Sequence, residues 1–458
     1  MASQKQMGRD LTTGSAPRAL LAFATPLFLS NLLQAVYNMV DMVVVGKYLG
    51  SAGLSAVSIG GDVLHFITFV AMGFSNAGQM IISQYTGAGR RDKVSRLIGT
   101  MFSFLTICAL VIMVLGIAGQ STVMRLLNTP PEAWDNAKAY IDVCLLGLVF
   151  IYGYNMVSAV LRGMGDSRHP FMFIALAAVL NLVLDLLFVG PMHMGTMGAA
   201  LATVIGQGVS FICSIVLLYR QREQFGFDFR PSSFRIHRDV LAPLVSLGIP
   251  MAIQSAAINF SKMFVNSWIN SYGVVVSAVT GIGNKLGTIG NLFGNAFTTA
   301  GGSMIGQNIG AAKYERVPKV IGTTFAINGT VAVVLSAIVI GFPRTVFGFF
   351  TSEAAVLEVA MEYIPIVVLM FCSMAFRSCM SALINGSGNS RLNLCVAVFD
   401  GVVARIGFAV LLGLVFDMGY MGFWIGGELA GFVPFIIGGT YFLSGRWKRR
   451  SRILAEDD

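Results

Sequence analysis

The sequence predicts an all-α polytopic membrane protein: twelve transmembrane helices in two pseudo-symmetric six-helix lobes, with both termini in the cytoplasm. Three observations carry this prediction. The 458 residues are 55% hydrophobic and only 12% charged, with mean hydropathy +0.74, where an average soluble domain carries about 25% charged residues. The second half repeats the first: Gln84 to Thr100 returns as Gln307 to Thr323, and Leu161 to Arg168 as Ile384 to Arg391, both at a shift of 223 residues. Met194 to Gly198 returns as Met418 to Gly422 at one residue more. Solenoid units recur every ~20 to 50 residues, so a repeat of half the chain marks two duplicated domains. Finally, placing both termini inside puts 23 of the 31 Lys and Arg residues in the cytoplasm, leaving only Lys47, Arg125, Lys138 and Arg344 outside, as the positive-inside rule requires.

The chain divides at clusters of charge, Gly or Pro into twelve apolar stretches, each of about the 20 residues that span a hydrocarbon core. The amino-terminal tail, 1–18, is polar, and the first stretch, 19–46, is too long for a signal sequence and is therefore expected to be retained. Pro26 removes a backbone hydrogen bond there and is a hinge candidate; Pro250 holds the equivalent place in the second half. The remaining stretches of the first lobe (19–219) are 53–82, 97–119, 137–161, 169–190 and 197–219. A polar, basic linker, 220–239, follows. The second lobe (240–444) comprises 240–269, 274–303, 320–343, 355–384, 392–416 and 420–444, and 445–458 is a basic tail suited to anionic lipid headgroups. Arg90, Arg91, Lys93 and Arg96 and their copies Lys313, Arg316 and Lys319 face the same side. Six spans per lobe is even, so the repeats are parallel, with a cavity between two lobes that can rock around it.

Several signals are set aside on chemical grounds. The cysteines all fall within spans, without metal-ligand spacing, and read as small buried hydrophobes. Gly163 to Ser167 and Gly386 to Ser390 sit in turns before a helix, where turn and N-cap chemistry accounts for them. Gly46-Lys47 lacks the upstream glycine of a Walker loop, so no nucleotide motor is encoded. The excess of basic residues is explained by topology and calls for no nucleic acid. No cofactor is implied.

Ionisable groups inside spans are functional candidates by default. In the first span Asn31, Gln34, Asn38 and Asp41 fall three, four and three apart, making one polar stripe on a helix, with Tyr37 alongside. The fifth span offers Asn181 and Asp185, one turn apart. Both run outward and bring Asp41 and Asp185 to a similar depth. The fourth and sixth spans run inward and bring Tyr140, Ala199 and Thr203 there too. Two carboxylates with amide, hydroxyl and carbonyl oxygens at one level can hold a proton or a hard cation such as sodium. The plainer alternative is that both aspartates only hydrogen-bond neighbouring helices.

Taken together, Thr25-Pro26 with Gln34, Tyr37 and Asp41, the Gln-x-x-Gly-Ala loops from Gln84 and Gln307, Leu161 to Ser167, and Asn181-x-x-x-Asp185 identify a resemblance. Over essentially its whole length the chain resembles the multidrug and toxic compound extrusion (MATE) transporters, in detail the prokaryotic DinF-type branch. The resemblance implies that Asp41 and Asp185 form the ion-coupling centre, completed by Asn181, Thr203 and the Ala199 carbonyl. Sodium would sit at Asp41, Asn181, Asp185 and Thr203. It places Gln34, Tyr37, Tyr140 and Asn155 in the surrounding network, although Asn155 sits toward the inner half of its span. NorM-type and eukaryotic members carry a glutamate on the seventh helix; this chain has Gln254, Ser255, Asn259, Lys262, Asn266 and Asn270 instead.

The second lobe keeps the repeated loops but not the acids. Asp41 aligns with Phe264 or Val265, and Asp185 with Phe408. Lys262 stands where the duplication puts Asn38, and Lys285 aligns with Asp62. Arg377, Asp400, Arg405 and Glu428 are also embedded. Such a cavity can take zwitterionic or partly anionic compounds as well as lipophilic cations, or else the lysines simply pair with acids. The expected function is a secondary active exporter of small amphipathic, often cationic, compounds against protons or sodium. It is expected as a monomer among membrane lipids in a prokaryotic plasma membrane and is not an enzyme. The alternative is a flippase for a lipid-linked or polysaccharide precursor, which would favour basic cavities.

Overall fold

Helices carry the architecture that the hydropathy pattern demands, and the computed structural model describes residues 10–448. Residues 1–9 and the expected tail positions Arg449, Arg450 and Arg452 lie outside the described residues. Among the described residues nine helices are long and apolar enough to cross a membrane, and two shorter ones make a further bent crossing. The first, Ala16–Gly87, has 72 residues, which would reach ~110 Å if straight, over three hydrocarbon thicknesses. It breaks at Gly50, where φ is 65° and ψ −160°, a conformation that only glycine adopts without steric cost. It therefore supplies two crossings, α1 (16–49) and α2 (51–87).

Next come α3 (Arg91–Leu126), α4 (Pro131–Leu146 and Leu148–Gly163, bent by 51°), α5 (Arg168–Val189) and α6 (Gly195–Arg220). The second half holds α7 (Arg238–Asn270), α8 (Val274–Gly310), α9 (Val317–Gly341), α10 (Ala354–Gly386), α11 (Ser390–Val415) and α12 (Gly419–Leu443). Helix α8 is not among the nine because Asn284, Lys285, Asn291 and Asn295 interrupt its apolar run. With it, the described chain has the twelve expected helices.

The described chain separates into two compact units, and the division does not fall in the linker. One unit is Leu29–Ile249; the other joins Asp10–Phe28 to the chain from Pro250 onward. Residues 19–28, assigned from sequence to the first lobe, thus pack with the second, and residues 240–249 with the first. The cause is a repeated apolar stripe. Ala16, Leu20, Phe23, Ala24 and Leu27 are buried against Phe297, Ala300 and Met304 of α8, Val317 and Val320 of α9, and Leu383 of α10. Their copies Val240, Leu244 and Leu247, 224 residues on, are buried within the first unit, with Leu244 beside Gly78 and Met101. Helix α1 stays helical through Pro26, the one non-helical residue of the Ala16–Gly87 run being Gly50.

The duplicated basic loops hold the segments that enter these stripes. Gln307 Oε1 accepts from the Leu11 backbone N–H at 3.2 Å, and Asn308 Nδ2 donates to the Leu11 carbonyl at 3.1 Å. Lys313 Nζ donates to the Thr12 carbonyl at 3.0 Å and hydroxyl at 2.9 Å, while Arg316 donates to the carbonyls of Gly14 and Thr13 at 3.0 and 3.2 Å. In the first unit Lys93 and Arg96 reach Asp239 at 2.9 and 3.5 Å. The linker is no free tether: Phe225 and Phe227 are buried, and Phe227 packs on Phe102, Phe229 and Phe234. Asp166 and its copy Asn389 cap the helices that follow, accepting from His169 and Leu392 N–H groups at 3.2 Å each.

These clamps make a prediction. Lys313→Ala with Arg316→Ala removes four charge-assisted bonds to the arm, each worth on the order of 1 to 2 kcal/mol. Hydrogen exchange should therefore rise selectively over residues 11–20, with a lower melting temperature in detergent. Asp239→Ala removes a half-exposed pair and should cost under about 1 kcal/mol; equal effects of the two changes would contradict the packing described.

Candidate functional site

The acidic centre lies wholly in the first unit. Asp185 on α5 is completely buried and Asn181, one turn earlier, is 5% exposed. Asp41 on α1 is half-buried, and its carboxyl group lies within hydrogen-bonding reach of that of Asp185. Two carboxylates are both acceptors, so such a bond exists only if a proton lies between them. Neither Asp185 oxygen, nor Oδ1 of Asp41, meets a protein donor. A buried carboxylate with no donor costs several kcal/mol unless it takes a proton or a cation. The pair is thus incomplete as protein alone.

Oxygen ligands stand beside it. Asn181 Nδ2 donates to Thr203 Oγ1 at 3.3 Å, and Thr203 Oγ1 donates to the Ala199 carbonyl on α6 at 3.1 Å. That arrangement leaves the Asn181 carbonyl oxygen free to ligate. Tyr140, on the first segment of α4, is within electrostatic range of Asp41, Asp185 and Tyr37, and lies beside the Cys144 thiol. Tyr37 in turn lies beside Gln34. Val44, Val45, Val57, Val189 and Ala200 pack with Tyr140, Cys144 and Ala199 as an apolar collar, which keeps the local dielectric low and strengthens any charge interaction inside it.

The structure thus brings together Asp41, Asp185, Asn181, Thr203, Ala199, Tyr37, Gln34 and Tyr140. Asn155 is different: its Nδ2 donates to the Ile151 carbonyl of its own helix at 2.8 Å, so it serves α4. Asn38 is exposed. Three groups escaped the sequence reading. Cys144 was taken as inert packing, yet it touches Tyr140. Tyr154, near Tyr37, donates from its hydroxyl to the Pro170 carbonyl at 3.2 Å. Asp142 accepts from Gln120 Nε2 at 2.6 Å; it lay inside the expected fourth span and could have been found by counting carboxylates there.

The embedded charges of the second unit gather around a cavity of about 320 Å³. Lys262 on α7, Arg377 on α10, and Arg405 and Glu428 on α11 and α12 line it, with Asn259, Asn266, Asn284 and Asn291. Lys285, expected beside Lys262, is exposed and does not line it; one residue from Asn284 along α8, it occupies a different helix face. Arg405 is paired with fully buried Asp400 at 3.1 Å and donates to the Gly427 carbonyl at 2.9 Å. Asp400 lies in a π-helical turn, Phe399–Val403, and Ser261 of α7 donates to the Gly401 carbonyl within it. Such turns free backbone groups and recur at functional sites.

The family model described as MatE matches residues 26–187 and again 250–411, two matches at the spacing of the internal repeat. The probable multidrug resistance protein YpnP of Bacillus subtilis is 29% identical over 443 residues, covering 96% of this chain and 97% of that one. The probable multidrug resistance protein NorM of Thermotoga maritima is 24% identical, covering 96% and 95%. Among solved structures, an outward-facing multidrug resistance MATE family transporter of the MOP superfamily superposes with TM-score 0.88 at 23% identity, covering 100% of both chains. A MATE structure in the bent conformation gives TM-score 0.87 at 23% identity, covering 99% of this chain and 98% of that one.

Proposed function

The chain belongs to the MatE family of multidrug and toxic compound extrusion transporters, and from that premise we propose that it is a secondary active exporter of amphipathic organic compounds driven by protons or sodium at Asp41 and Asp185. The observation that carries this reading is the buried carboxyl pair with three oxygens that no protein donor satisfies. A proton or sodium ion completes it. Asn181, Thr203 and the Ala199 carbonyl supply the further oxygens a hard cation needs, and Tyr140 and Tyr37 stand within electrostatic range of the carboxyl groups.

Export follows if ion and substrate favour different conformations, since each then shifts the population that binds the other, by a reciprocal coupling energy of roughly 1 to 3 kcal/mol. The arms that enter α1 and α7 pack on the unit opposite to the rest of their helices. A change at Asp41 can therefore be transmitted along α1 toward Pro26, where a missing backbone bond lowers the cost of bending. The protein acts as a monomer in a prokaryotic plasma membrane, with both termini cytoplasmic.

The test is efflux of a cationic dye from proteoliposomes while the pH and sodium gradients are collapsed separately. Collapse of one of the two should stop accumulation against the dye gradient. Accumulation that survives loss of both would overturn the reading.

A further inference from the structure

We propose that the cavity in the second unit is a binding site for the acidic group of organic anions or zwitterions, with Lys262 and Arg377 as the residues that receive it. The inference rests on the exporter reading and specifies the substrate chemistry. Three cationic side chains, Lys262, Arg377 and Arg405, converge on one space of about 320 Å³, the small end of the range for ligand pockets. Buried Asp400 offsets Arg405. That leaves Lys262 and Arg377 facing Glu428, and none of these three makes an ion pair within 4 Å among the described residues.

The donors are arranged to receive an anion. Arg377 Nη2 donates to Asn291 Oδ1 at 3.1 Å, which fixes the guanidinium plane and leaves its remaining N–H groups for a flat carboxylate, the geometry in which arginine binds most strongly. Arg405, only 4% exposed, keeps its Nε–H without an acceptor, an unsatisfied donor of the kind that folded proteins rarely leave without a role. Lys262 has its side chain open to solvent, and it can follow a ligand as a flexible point charge. Met263, Met370, Phe371 and Met374 line the same space, so an apolar body can pack beside the acidic group against adaptable side chains. Lined this way, the cavity favours an amphipathic carboxylate over a simple inorganic anion.

The experiment uses a matched pair of ligands: a zwitterionic aminoxanthene-carboxylate dye and its methyl ester, which has the same body and cation but no free carboxylate. Binding to the purified full-length protein in detergent is read by fluorescence anisotropy, with no ion gradient present. Lys262→Met and Arg377→Met should each weaken binding of the acid about tenfold while leaving the ester unchanged or tighter. Glu428→Gln should strengthen the acid severalfold, a gain that misfolding cannot produce. Loss of both dyes together, or an acid affinity indifferent to all three changes, would overturn the inference. Gradient-driven export of the ester by the wild-type protein separates the outcomes: its persistence, with no effect of the substitutions on acid binding, refutes the anion site alone. Uncoupled transport with selective loss of acid binding refutes the exporter reading alone.

Discussion

Replacing Asp185 with Asn is expected to abolish gradient-driven export while leaving the protein folded. Asp185 is completely buried and both its oxygens lack donors, so in the native protein it has to be neutralised by an ion. The amide is isosteric, neutral at every pH and unable to take or release a proton. It removes an unsatisfied buried charge, so the melting temperature in detergent should hold or rise by a few degrees as accumulation falls to the level of protein-free liposomes. Asp41→Asn should behave alike. Asn155→Ala, by contrast, removes only a bond within α4 and should preserve most transport. An Asp185→Asn protein that still concentrates dye would remove the coupling centre from the account.

The largest effect on stability is expected at Arg405. Arg405→Met leaves Asp400, with no exposed surface, without the one ion-pair partner it has within 4 Å among the described residues. Breaking a buried pair by removing one member costs about 3 to 5 kcal/mol. The single variant should therefore melt well below the wild type or fail to accumulate in the membrane. Adding Asp400→Leu removes the orphaned charge and should restore most of the loss, since buried pairs replaced whole by apolar groups are often neutral. A single variant as stable as the wild type would contradict a structural role for the Arg405–Asp400 pair.

Most of the architecture was legible because a bilayer imposes a length and a polarity on each helix. Even the helices that evade a hydropathy threshold had local causes in the sequence: Gly50 ends one crossing inside a 72-residue run, and the asparagines of α8 dilute an otherwise apolar helix. The placement of residues 10–28 with the second unit was not legible. It depends on which neighbour buries Leu20 and Phe23, a long-range contact, although the stripe of 16, 20, 23 and 27 and its copy at 240, 244, 247 and 251 was present to be found. The acidic centre was legible because one-turn spacing on α5 and the polar stripe on α1 are local patterns. The surroundings of Asn155 and Lys285 were not legible: an asparagine inside a helix can donate to the carbonyl four residues back, as Asn155 does to Ile151, and Lys285, one residue from Asn284, presents a different helix face.

The duplication acquires a physical meaning from these contacts. The faithfully copied loops are the parts that hold arms and cap helices, tasks both halves must perform. The polar groups in the helices diverged: the first unit gathers carboxyls around Asp185, the second cations around Lys262. The most direct measurement of the central claim is ion counterflux. Proteoliposomes loaded with a cationic substrate, and set up with no ion gradient, would be followed with proton- and sodium-sensitive reporters as the substrate leaves. The account predicts that substrate efflux drives inward movement of one of these ions in the wild type and of neither in Asp185→Asn. Substrate efflux without counterflux, or with the same counterflux in Asp185→Asn, would contradict it.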